Sequence, residues 1–324
     1  MRAVVFTGAG GNQVVRLEER PTPEPRGEDV LVRARFAALN PADVQQREGR
    51  YPAPPGDPPD IPGLEVTGVV EACGERVSAW SPGDRVFGLV GGGGLADRVL
   101  VHERCLARVP EALEEREAAA VPEAFITAHD AIRTQAGLAL GESLLVHGAA
   151  GGVGSAAVQI GAAAGARVYG VVRSEKAAEA VAELGGEAVR EDGFAETVRD
   201  QTGGRGVDVI LELVGAVHFP ANLEALALRG RLVIVGVAAG QETSISLLGL
   251  MQKRAVLRGT VLRPRPLEEK ATAVRSFERE VVPALASGRI RPLVDSVFPA
   301  DAVAAAFDRL QERGKVGKVL IEFA

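Results

Sequence analysis

Cysteine is almost absent from this 324-residue chain. Cys73 and Cys105 have neither the spacing of a metal site nor the numbers for a disulfide framework, so reduced, structural thiols are expected. Long apolar runs are missing too. None reaches the roughly 20 residues that a membrane helix needs. The opening MRAVVFTGAGG has no apolar stretch of signal-peptide length. A cytoplasmic protein with no membrane partner is expected. No long basic run interrupts the mixed charges, and the formal net charge is -6, which argues against nucleic acid as a partner. Asparagine occurs only at Asn12, Asn40 and Asn222, while Arg and Pro are frequent. Heat adaptation and a GC-rich genome both produce that bias. Aromatics are scarce and glycine plentiful, a balance that suits an α/β protein with close backbone packing and tight turns around a small ligand.

The first third of the chain reads as β. Strand-like runs at 2–6, 14–17, 29–36, 66–72 and 85–89 are separated by Gly and Pro. The segment YPAPPGDPPDIP (51–62) is too rich in proline for a helix. The texture changes near Glu111, where a helical stretch begins with an expected break at Pro122. Strands and helices then alternate: strands at 143–147, 167–172, 207–212 and 231–236, helices at 153–164, 175–184 and 219–227. This is the pattern of a doubly wound parallel sheet. Beyond Arg263 the chain reads as helix over 267–287 and 300–312, with a last strand at 316–323. The tail is expected to return to the first domain. The organisation is then a β-rich domain of 1–122 plus 263–324, with a nucleotide-binding domain of 123–262 inserted in it.

The strongest signal is SLLVHGAAGGVGSAAVQI (143–160). A strand runs into Gly148, Ala149, Gly151, Gly152, Val153 and Gly154, and then into a helix. Glycines let the backbone bend and let a pyrophosphate approach it, and the helix N-terminus offers unpaired N–H groups. Gly154 is expected to let the helix pack closely on the sheet. The spacing is not the strict G-x-G-x-x-G fingerprint, but a strand before and a helix after support dinucleotide binding. An acidic residue at the end of the second strand would favour NAD. Arg173, Ser174 and Lys176 stand there instead and suit the 2′-phosphate of NADPH. Ser174 also suits the N-cap of the next helix. The two roles are compatible.

Several further motifs occur in order: NPADVQQREGRYP (40–52), IPGLEVTGVV (61–70), PGDRVFG (82–88), VPEAFITAHDA (121–131) and GKVGKVL (314–320). With the glycine turn they make the whole chain resemble the zinc-independent quinone oxidoreductase branch of the medium-chain dehydrogenase/reductase (MDR) superfamily. The resemblance implies a GroES-like catalytic domain, a Rossmann domain, an active site in the cleft between them, and a homodimer or homotetramer. Zinc-dependent relatives carry G-H-E where this chain has Gly63-Leu64-Glu65. Leu64 offers no ligand atom, and no cluster of four cysteines follows Gly88, so no zinc is expected.

Asn40 lies in the motif that the resemblance places at the nicotinamide. Its amide can hydrogen-bond a quinone or enone oxygen, or it is simply the turn residue before Pro41. Tyr51 is a second donor, or a packing residue of its loop. Thr127 matches a position close to the nicotinamide ring, or bonds back to its own helix. Gly236 and Val237 are expected at the carboxamide, with Gly215 also in the cofactor set. Arg263 resembles a basic residue near the cofactor in relatives, with a surface arginine as the alternative. Asp43 and Arg47 are expected to hold the 40–52 segment in place, and Lys318 to be structural, with a place near the cofactor, as in some relatives, as the alternative. His129 and His147 are read as packing histidines with no partner carboxylate. The function expected is NADPH:quinone oxidoreduction. The rivals are reduction of an enone or 2-alkenal double bond and a non-catalytic NADPH-binding sensor.

Overall fold

The computed structural model describes residues 1–323. The chain divides into two units: residues 1–126 with the segment from Leu262 onward, and Thr127–Val261.

In the first unit, β1 (Arg2–Phe6) and β2 (Val15–Glu19) pair antiparallel. The single strand expected over 29–36 is two, β3 (Asp29–Arg33) and β4 (Phe36–Leu39). The chain changes sheets between them. The Ala34 N–H bonds to the Asp97 carbonyl, whereas the Arg35 carbonyl accepts from Phe323. The short helix α1 (Pro41–Arg47) follows, then β5 (Glu65–Cys73), β6 (Arg85–Leu89), β7 (Arg98–His102) and β8 (Leu106–Arg108). Five strands form an antiparallel sheet in the order β7-β3-β5-β6-β8. Alternation along β3 and β7 places Val30, Val32, Val99 and Val101 in one apolar core.

The helical stretch is interrupted just before Pro122, as expected, and Pro122 starts the second helix. The one-turn α2 (Glu115–Ala118) ends before it, and α3 (Pro122–His129) begins on it, where the missing N–H carries no penalty. The π-helical turn Asp130–Gln135 continues α3.

The second unit alternates as its sequence pattern requires: β9 (Ser143–Val146), α4 (Gly152–Ala163), β10 (Arg167–Val172), α5 (Glu175–Glu183), β11 (Glu187–Arg190), α6 (Phe194–Gln201), β12 (Val207–Glu212), α7 (Phe219–Ala225), β13 (Leu226–Ile234), α8 (Leu247–Lys253) and β14 (Val256–Gly259). The six strands are parallel, in the order β11-β10-β9-β12-β13-β14. Strand order reverses between β9 and β12, so their C-terminal ends mark the place where such sheets bind ligands.

The tail supplies α9 (Leu267–Glu280), α10 (Val282–Ala286), β15 (Val294–Pro299), α11 (Val303–Gln311) and β16 (Lys318–Glu322) to the first unit. β16 lies between β15 and β4. Its antiparallel register sets Val319 opposite Leu39, which brings Lys318 beside Asn40. Phe307 of α11 is fully buried, with its ring 5.8 Å from Phe6. Among the described residues no helix is long and apolar enough to cross a membrane.

Candidate active site

Asn40 ends β4 and caps α1, with Pro41 at the first helical position. It is 5 % exposed. Its backbone N–H donates to Asp43 Oδ2 at 2.7 Å, and Gly63 N–H donates to Asp43 Oδ1 at 3.0 Å. Asp43 thus ties the 40–47 segment to Gly63-Leu64-Glu65. Burial raises the Asp43 carboxyl to about 6, opposed by the Asn40 N–H and by Lys318 and Arg263. The Asn40 side chain donates from Nδ2 to Glu65 Oε1 at 2.8 Å. Lys318 Nζ donates to Asn40 Oδ1 at 2.5 Å and to Glu65 Oε1 at 2.8 Å. Glu65 Oε2 accepts the Glu123 N–H at 2.8 Å. Lys318 is therefore part of the Asn40 centre, which its motif alone did not reveal. Arg47 works separately from Asp43: it donates to Asn12 Oδ1 and lies over the Phe307 ring.

Arg263 is not a surface residue. It is 4 % exposed and donates to the Gly91 carbonyl (2.7 Å), the Tyr51 carbonyl (3.1 Å) and Gln46 Oε1 (2.6 Å). Its guanidinium lies 5.1 Å from the centre of the Tyr51 ring. Arg263 thereby pins the start of the proline-rich loop, and Gln46 pins its end by donating to the Pro59 carbonyl. Burial raises the Tyr51 phenol, against the nearby Arg263 charge, so the phenol stays a protonated donor at neutral pH. Thr127 is buried on α3 and falls in the second unit, so Asn40 and Tyr51 share a unit that Thr127 does not. A cavity of about 470 Å³ in the first unit is lined by Asp57, Gly91, Cys105 and Lys270 among others, but by neither Asn40 nor Tyr51. It is therefore not the site that the sequence marks.

In the second unit β9 ends at Val146, and residues 147–151 turn into α4. Gly148 has φ +60°. A Cβ on Gly154 would stand 2.2 Å from the Gly148 carbonyl oxygen, so Gly154 seats the first helical turn on the βα turn. The glycine that lets α4 lie against the sheet is Gly161, where a Cβ would meet Leu144 and Val168 side chains at 2.9 and 3.0 Å. Gly151, Gly152 and Val153 are half-exposed, and the N–H groups of a helix's first turn have no partner within the helix. This cradle of small residues fits a pyrophosphate. The loops after β12 and β13 close beside it. A Cβ on Gly215 would stand 2.7 Å from the Gly240 carbonyl oxygen and 3.0 Å from Val237 Cα, and one on Gly236 would stand 2.3 Å from the Leu213 carbonyl oxygen. The structure thus gathers Gly148, Gly215, Gly236 and Val237 at one sheet edge. Ser174 caps α5 by accepting the Ala177 N–H at 3.3 Å. Arg173 and Lys176 are exposed and form no ion pair among the described residues.

His147 packs as expected, but it does have a carboxylate neighbour. Its Nε2 lies 2.6 Å from Asn222 Oδ1 and 3.6 Å from Glu212 Oε2. Glu212 Oε1 accepts the N–H groups of Val214 and Gly215 at 2.7 and 2.9 Å, and Oε2 accepts Asn222 Nδ2 at 2.7 Å. His218 Nε2 lies 3.0 Å from Glu191 Oε1, and its Nδ1 lies 3.5 Å from Glu212 Oε2. Neither Glu212 nor His218 stood out in the sequence, because nothing local pairs them with His147, 65 and 71 residues earlier. The ligand atoms of His147, Glu212 and His218 lie within 4.8 Å of one another. The two imidazoles are stacked at 4.2 Å and 16°, however, and a metal bound in the plane of one ring lies outside the plane of the other. As they stand, these rings do not fit a shared ion. They hold protons instead. Burial lowers the His147 pKa, with His218 adding to the effect. Burial acts the same way on His218, but Glu212 and Glu191 outweigh it and raise that ring. The stability His218 contributes is thus fully present below the ordinary imidazole pKa and is lost as pH rises through its raised value; His147 shifts the balance in the opposite sense. Histidine-selective NMR is expected to show this pair titrating in two steps on either side of the ordinary value. A single step at that value would be inconsistent with the arrangement.

Residues 152–279 match the family model described as zinc-binding dehydrogenase, and residues 26–111 that of the alcohol dehydrogenase GroES-like domain. The quinone oxidoreductase of Lama guanicoe is 34 % identical, over 99 % of this chain and 97 % of that protein. The chain belongs to the quinone oxidoreductase family of the MDR superfamily. This family membership makes it an NAD(P)-dependent oxidoreductase with a GroES-like domain and a Rossmann sheet. Two solved structures are similar throughout. An NAD-dependent alcohol dehydrogenase has a TM-score of 0.89 at 31 % identity, covering 100 % of both chains. A mycobacterial protein complexed with NADPH has a TM-score of 0.88 at 29 % identity, covering 99 % of this chain and 100 % of that one.

Proposed function

We propose that this quinone oxidoreductase family member is a zinc-independent NADPH:quinone oxidoreductase. The observation that carries the cofactor choice is Arg173 and Lys176, exposed and in no ion pair among the described residues, immediately after β10, where an NAD enzyme would carry a carboxylate. When bound, NADPH supplies the hydride. The N–H groups of Gly152, Val153 and Gly154 hold the pyrophosphate, and Arg173, Ser174 and Lys176 hold the 2′-phosphate. The backbone of Gly215, Gly236 and Val237 lies where the nicotinamide carboxamide is expected. On the substrate side, Asn40 and Tyr51 offer N–H and O–H donors to a quinone oxygen that gains negative charge, and Thr127 stands near the nicotinamide. Arg263 acts through Tyr51 and its loop. The hydride supplies one hydrogen and both electrons, and a single proton from solvent completes the hydroquinone.

Zinc independence is supported by the Asn40 centre itself. Leu64 is buried with no ligand atom, and the ammonium of Lys318 already neutralises Glu65. A homodimer is supported by the free edge of β14 and the helix beside it. Leu247, Leu248 and Met251 are 71, 62 and 72 % exposed, and an open apolar edge favours pairing with a second copy. The two cysteines are unbonded to each other, which fits a cytoplasmic location.

The test is steady-state oxidation of NADPH, with NADH in parallel, against 1,4-benzoquinone, 9,10-phenanthrenequinone, 2-cyclohexenone and an alkenal, with a chelator present. Quinone turnover with NADPH and undiminished by the chelator is expected. Turnover of enones alone would make the protein an alkene reductase, and NADPH binding without any turnover would make it a sensor.

A further inference from the structure

The donors and acceptors around Asn40 leave its carboxamide one orientation. Lys318 Nζ is an ammonium with three donors and no acceptor, and ionised Glu65 only accepts. Lys318 bonds both Asn40 Oδ1 and Glu65 Oε1, while Glu65 Oε1 also accepts from Asn40 Nδ2. Turning the amide over would set its NH₂ against the ammonium and its oxygen against the carboxylate. The side chains of Lys318 and Glu65 are 6 and 2 % exposed, so water cannot relieve either clash. The amide assignment that is usually ambiguous is thus dictated by chemistry. The second Nδ2 hydrogen has a poor partner among the described residues: its bond to the Ala38 carbonyl is 3.5 Å long, at the outer limit for a hydrogen bond.

We infer that Lys318 and Glu65 are positioning residues that lock the Asn40 carboxamide with one N–H left for the substrate oxygen. This rests on the proposed role of Asn40 as a donor to a quinone. The two charges neutralise each other, so they orient the amide without adding net charge beside the acceptor. The chain builds the lock from four separated pieces. β4 brings Asn40 and β16 brings Lys318 in register. β5 brings Glu65, and the Glu123 N–H holds the other oxygen of that carboxylate.

Two experiments test it. Asparagine occurs only three times, so selective ¹⁵N labelling of asparagine gives three side-chain amide pairs. The Asn40 hydrogen bonded to Glu65 is expected to exchange with solvent about tenfold more slowly than its geminal partner, and E65Q, which keeps its oxygen on the Glu123 N–H and turns its NH₂ toward Asn40 Nδ2, is expected to remove that difference. In kinetics, K318M is expected to lower kcat with a quinone about tenfold in the parent and less than twofold in an N40A background, with KM for NADPH unchanged in both. E65Q keeps the side-chain volume and adds a competing N–H donor. It provides the same cycle should K318M fail to fold. Equal kcat losses with and without Asn40, or no loss in the parent, would overturn the inference. A wild type that turns over no quinone would refute the proposed function instead, and the exchange experiment would still decide whether the amide is locked.

Discussion

Replacing Arg173 and Lys176 together by alanine is expected to lower kcat/KM for NADPH by about 10- to 100-fold and to change kcat/KM for NADH by less than about threefold. A charge-assisted hydrogen bond contributes roughly 1.5–3 kcal/mol, and two such contacts to one phosphate would exceed this range if fully desolvated. Both side chains are exposed, so salt screens them and the lower part of the range applies. The loss should shrink as ionic strength rises. Ser174 is a poorer probe. It caps α5 by accepting the Ala177 N–H, and removing a cap costs about 1 kcal/mol of helix stability, which would perturb binding of either dinucleotide. Equal losses for NADPH and NADH would reduce Arg173 and Lys176 to solvated residues at a helix start and would remove the main support for NADPH.

Gly154→Ala is expected to weaken NADPH binding at least 10-fold and to lower the denaturation midpoint of the second unit. The added Cβ would stand 2.2 Å from the Gly148 carbonyl oxygen and 2.8 Å from Ala149 Cα. These are backbone atoms that cannot rotate away, so the turn or the helix must move by roughly 1 Å. Overpacking of this kind costs about 1–3 kcal/mol. The displaced atoms include the N–H groups offered to the pyrophosphate, so affinity and stability should fall together. Gly8→Ala is the control, because a Cβ there meets nothing within 4 Å and both quantities should be unchanged. NADPH titration and chemical denaturation of the two variants decide the matter. Unaltered affinity in Gly154→Ala would place the pyrophosphate elsewhere.

What the sequence disclosed followed the range over which its signals act. β9, the glycine turn and α4 are contiguous, and each is bounded by its own apolar period or glycines, so their order and chemistry were legible. β7, β8, β11 and α6 were not. β7 is a short run between Asp97 and Glu103, β8 has only three residues, and β11 shows a single buried residue, Val189, so no alternation could announce it. Arg263 stayed open between a residue near the cofactor and a surface arginine because its partners Gly91, Tyr51 and Gln46 are remote in sequence. The partners of Lys318 and the role of Glu212 were missed for the same reason. A residue's charge is written in the sequence, but the group that neutralises it is set by sheet register, and register is a long-range property.

The first unit is completed by chain that lies beyond the whole of the second, about 135 residues further on. During synthesis β4 and Asn40 emerge well before β16, the strand that pairs with β4, which follows about 280 residues later. The second unit is continuous and can close its parallel sheet while the first still has an open edge. Until the ribosome delivers Lys318, the Glu65 carboxylate lacks its counter-ion, and the edge of β4 is available to any other extended chain. Nascent chains arrested before that point should therefore bind the nucleotide before they gain a finished substrate centre, and they are the species most in need of a chaperone.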